Sequence, residues 1–85
     1  MIDMNLTRRL EKHALAKFGG NRRQALVYLR EKAMFYAQKT DRLRGQPNYG
    51  KWYSVYLAYS SAAYRQDYYL SMDEEPRDDY PSSFA

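Results

Sequence analysis

The chain has 85 residues, a formal net charge of +4 and no cysteine. That length makes one domain with a small core, and the lack of thiols excludes a disulfide framework and a thiolate metal site. Residues 1–72 hold 13 Lys/Arg against 5 Asp/Glu, a net +8, whereas residues 73–85 hold Arg77 against Asp73, Glu74, Glu75, Asp78 and Asp79, a net −4.

The expected organisation is therefore a basic helical domain over 1–72 and an acidic, flexible tail over 73–85. A basic surface attracts nucleic acid or an acidic protein face, or is simply solvated. The opening Met1–Arg9 reaches charge before any apolar run, which argues against a secretory h-region.

The first helix is predicted over about 4–18, with Asp3 or Asn5 as N-cap and Gly19-Gly20 as its stop. Leu6, Leu10, Ala14 and Phe18 recur every four residues and form an apolar stripe, with Arg8, Arg9 and Lys12 on the opposite side. Asn21 caps a second predicted helix, 21–44, ended by Gly45 and Pro47. Leu26, Leu29, Ala33, Tyr36, Thr40 and Leu43 supply its core stripe, and Tyr28 and Phe35 widen it. Arg23, Val27, Arg30 and Met34 project elsewhere.

After the turn-rich segment 45–50, a third helix is predicted over about 51–72. Trp52, Val55, Tyr56, Tyr59, Ala63 and Leu70 share one face, and Tyr53, Leu57, Tyr64 and Tyr68 form a second. One stripe packs on the other helices, which leaves the second for another surface. The small run Ser60-Ser61-Ala62-Ala63 lets another backbone approach closely. Trp52–Leu70 has the length of a membrane span, but Arg65, Gln66, Asp67 and six tyrosines make it a poor lipid-facing surface. The fold class is thus all-α, a small three-helix domain, expected to be soluble and cytoplasmic. In the tail, Pro76 and Pro81 prevent regular helix, and Tyr80 and Phe84 are candidate anchors.

Catalytic chemistry finds little footing in this pattern. His13 is the sole histidine, the acids of 1–72 are scattered, and no serine has an evident base and orienting acid. Neither an enzyme nor a cofactor, metal, membrane or small-molecule substrate is expected.

Two binding surfaces stand out. The segment Leu15–Leu29 resembles a helix-turn-helix pattern, with a small residue at Ala16, a turn glycine at Gly20 and core positions at Leu26 and Leu29. It departs from that pattern at Gly19 and Asn21, where apolar residues usually flank the turn glycine, and in the length of the second helix. The resemblance implies DNA contacts by Asn21, Arg22, Arg23, Gln24, Tyr28 and Arg30, with Arg and Gln suited to base edges. The other surface rests on tyrosine: ten of 85 residues are Tyr, and seven fall between Tyr49 and Tyr69. Tyrosine combines a large rigid apolar area with one polar handle and is enriched at interfaces. Stacking of single-stranded bases beside Lys51 and Arg65 is a further use of such rings.

The leading expectation is a non-enzymatic protein-interaction module, a regulator or inhibitor docking on a larger macromolecule. Tyr53, Leu57, Tyr64 and Tyr68 are its binding face, and the partner is a protein or a second copy of the chain. Nucleic-acid binding through the junction of the first two helices is the alternative.

Overall fold

A computed structural model of the chain describes residues 3–74, with side chains as far as 72. Three helices make up this part, α1 (Met4–Lys17), α2 (Arg22–Arg42) and α3 (Tyr49–Glu74). The all-α, three-helix expectation holds. Beyond Glu74, the acidic tail with Tyr80 and Phe84 lies outside the described residues.

Both expected caps form. The Asp3 side chain accepts from the Leu6 N–H at 3.1 Å, and that of Asn21 accepts from the Gln24 N–H at 3.0 Å. Each satisfies a donor that has no partner inside its helix. The stop after α1 is a Schellman turn: the Gly20 N–H donates to the Leu15 carbonyl at 2.7 Å and the Gly19 N–H to Ala16 at 3.3 Å. This turn requires a left-handed residue just past the cap, and Gly19 takes it at φ +62.

The helix ends differ from expectation by about two residues. α2 stops at Arg42, where the Leu43 N–H closes back on Lys39 and Thr40. α3 begins at Tyr49, ahead of Gly50, and the ring of Tyr49 stacks on Tyr53 one turn later at 5.8 Å and 9°. That i, i+4 pair offsets the unfavourable glycine in the first turn. α3 also continues through Asp73 to Glu74.

α2 and α3 form a long antiparallel hairpin, and α1 lies across part of it. At about 1.5 Å per residue, α1 spans roughly 21 Å against roughly 39 Å for α3. α1 therefore covers only part of one flank. The core is built from small residues: Ala14, Ala25, Ala62 and Ala63 are buried with Leu26 and Leu29, and Leu10, Phe18, Tyr28, Tyr59 and Leu70 pack around them. Alanines at the seams bring helix axes close, so few large side chains are needed to exclude water.

Two features of the packing depart from the sequence reading. Phe35 remains 54% exposed and does not widen the core. The most buried line of α3 is Ala58, Ala62 and Gln66, to one side of the expected aromatic stripe. Small side chains admit the neighbouring helices closest, and so the aromatic rings are pushed to the flanks.

Polar groups fix the register of the three helices. Glu11 of α1 is buried and its Oε2 accepts from Arg65 Nε of α3 at 2.6 Å. That hydrogen bond holds the Arg65 guanidinium above its ordinary pKa, opposed in part by burial. Arg22 Nη1 of α2 donates to the buried Gln66 Oε1 at 2.8 Å. The guanidiniums of Arg22 and Arg65 lie 5.2 and 5.6 Å from the Tyr69 ring centroid. One tyrosine thus links α2 to the ion pair that holds α1.

Candidate docking seam between α2 and α3

The flank of the hairpin away from α1 carries an open groove of about 520 Å³. Ala33 and Ala37 of α2 and Ser60 and Ala63 of α3 line it, and their small side chains leave the depression unfilled. Met34 and Tyr64, also in the lining, are 66% and 74% exposed. Arg30 and Asp67 line the same groove and pair across it at 3.5 Å, both more than half exposed. Such a pair orients two long side chains but adds little stability.

A second, smaller bay of about 180 Å³ shares Ala37 and Tyr56 with the first. It continues along the seam to Thr40, Asp41, Arg44, Tyr49 and Tyr53. From Asp67 to Tyr49 the two bays follow α3 for about 27 Å, the length of a helix of about 18 residues. Their surface is apolar with a polar group at each end: Arg30–Asp67 at one, Arg44–Asp41, 3.0 Å apart, at the other.

The expected tyrosine face is divided by this geometry. Tyr53, Tyr64 and Tyr68 are exposed, whereas Leu57 is half-buried. Tyr64 lines the larger bay and Tyr53 the smaller, with Tyr56 between them. Leu57 and Tyr68 line neither bay. Met34, Ser60 and Asp67 were not among the expected site residues. For Met34 the available signal is its place beside Arg30 on the side of α2 away from the core stripe, for Ser60 it is the small run 60–63, and for Asp67 the sequence carries none.

The residues of the alternative, DNA-binding reading separate in a different way. Asn21, Arg23, Gln24 and Tyr28 border one depression at the start of α2, together with Phe18, Val27 and Glu31. Arg22 turns inward to Gln66 and Tyr69, and Arg30 belongs to the seam. Asn21 uses its side-chain oxygen as the helix cap.

His13 is exposed and packs obliquely on Tyr28 at 6.4 Å. Among the described residues, no three histidine or carboxylate side chains converge as metal ligands would, and no helix is long and apolar enough to cross a membrane. Burial pushes the pKa of the Tyr59 hydroxyl up, and the neighbouring Tyr28 and Tyr36 add to the rise. No family model, no curated protein and no solved structure matches the chain.

Proposed function

We propose that the domain is a non-enzymatic protein-docking module whose α2–α3 seam receives a helix of a protein partner. The observation that carries this reading is Met34 and Tyr64, the two most exposed large apolar side chains of the described residues, set about a floor of alanine and serine. Large apolar side chains are held out of water only by something that covers them. An apolar groove with small residues at its base fits an amphipathic helix, whose anchors recur every three to four residues. Methionine adapts to irregular partners and tyrosine adds a hydroxyl at the rim. Regulation or inhibition of a larger macromolecule is the role that such a module without catalytic groups would serve.

The DNA-binding reading of the α1–α2 junction ranks below this one, because Arg22 is held by α3 and Asn21 by its own helix. The test is capture from a nuclease-treated lysate by wild type, by Met34→Ala with Tyr64→Ala, and by Arg8→Ala with Arg9→Ala. The seam variant should lose at least tenfold in captured partner, equivalent to about 1.4 kcal/mol, with helicity intact and the arginine variant unaffected. Equal capture by all three contradicts the proposal.

A further inference from the structure

On the flank that α1 only partly covers, the hairpin carries a strip of alternating rings and lysines. Tyr28, Lys32, Phe35 and Lys39 follow one another at spacings of four, three and four, so they share one face of α2. This face lies roughly 150° around α2 from Arg30 and Met34 at 100° per residue, well away from the docking seam. Both neighbouring helices contribute to it. Lys17 of α1 and Lys32 each lie 5.7 Å from the Tyr28 ring centroid. Lys39 and Lys51 lie 4.4 and 5.6 Å from the Trp52 ring.

The rings themselves are preorganised. Tyr36 is sandwiched between Trp52, at 5.8 Å and 10°, and Tyr59, at 5.3 Å and 8°. Phe35 stands edge-on to Tyr36 at 5.0 Å and 85°, and is 54% exposed. Among the described residues, none of Lys17, Lys32, Lys39 and Lys51 forms an ion pair. Glu31 is the acid beside the strip, lining a bay of about 240 Å³ with Tyr28, Lys32 and Phe35.

We propose that this strip binds single-stranded nucleic acid, with phosphates on the four lysines and an unpaired base on Phe35. An exposed ring between cations suits a base that has a free π-face, and stacking of this kind is tolerant of sequence. A duplex keeps its bases stacked internally and would engage the lysines alone. An acidic peptide would do the same. The rings therefore favour the single strand. Arg65, placed by the sequence beside such rings, takes no part, because it is paired with Glu11.

The experiment uses the full chain and a fluorescein-labelled oligothymidylate of about twenty nucleotides, followed by anisotropy over a range of salt. Emission from Trp52, the sole tryptophan, reports on the site directly. Phe35→Ala should weaken binding roughly five- to a hundredfold, the range for loss of one stacked base. Lys32→Gln with Lys39→Gln should lower the slope of log affinity against log salt by about 1.4, from about 0.7 per phosphate contact. Arg8→Gln with Arg9→Gln, and Tyr64→Ala in the seam, should change affinity less than twofold, so that this proposal and the docking reading stand or fall separately. Binding that is absent, or unmoved by Phe35→Ala in a variant of unchanged helicity, overturns the proposal. Equally tight binding of a labelled polyglutamate of matched charge also overturns it, in favour of an acidic protein segment.

Discussion

At the scale of single residues, what the sequence reveals is local. Asp3, Asn21 and Gly19 act within three to five positions of themselves, and such contacts are readable from spacing alone. The sequence pattern offers Arg22 to a groove of DNA, while its hydrogen-bond partner in the fold, Gln66, lies 44 positions away. No periodicity encodes that distance. Tyr59 shows how a residue-level environment becomes a property of the fold. Its neutral phenol is favoured by burial and by the charge that the nearby Tyr28 and Tyr36 would carry if ionised, so its pKa is higher in the folded chain than in the unfolded one. The folded chain therefore keeps a proton that the unfolded chain releases near pH 10. This stabilisation is complete below about pH 10 and is lost as pH rises through the raised folded value. Between pH 8 and pH 11 the urea midpoint of Tyr59→Phe should fall less than that of the wild type. An equal or larger fall in the variant would show that the hydroxyl does not carry the effect.

At the scale of the element, the periodic apolar stripes were enough to count and roughly place all three helices. They were poorer at finding the contact line of α3, where the closest approach is made by Ala58, Ala62 and Gln66 rather than by the larger rings. Hydrophobic patterning favours large side chains, whereas close helix packing favours small ones. A polar side chain at a helix contact is also invisible to it, and here Glu11 and Gln66 occupy such positions. The Glu11–Arg65 pair is the main polar tie between α1 and α3. Arg65→Met would leave the Glu11 carboxylate buried without its partner. The cost should be about 2 kcal/mol, between the 0–1 of an exposed pair and the 3–5 of a broken buried one, since Arg65 is a third exposed. Glu11→Leu combined with Arg65→Met should recover most of that loss. Chemical denaturation of the three chains decides it, and a double variant no more stable than Arg65→Met would contradict this role for the pair.

At the scale of the whole molecule, a short helix crossing a longer hairpin leaves the two flanks of that hairpin different in character. One flank has an apolar seam between small residues, the other a ladder of rings and lysines. The sequence showed that α3 has more aromatic surface than three helices can bury. It did not show where the surplus goes, because the seam is shared: Tyr53 and Tyr64 come from one helix, Met34 and Ala37 from another. Grooves belong to pairs of elements, and single-helix projections cannot draw them. The docking claim is tested most directly by a photo-crosslinking phenylalanine analogue placed at position 64 and, separately, at position 8 on the outer face of α1. Activated in cells that make the protein, position 64 should give one discrete protein adduct that disappears when Ser60→Arg fills the floor of the groove, and position 8 should give none. The same adducts from both positions, or an adduct at position 64 that survives Ser60→Arg, would contradict it.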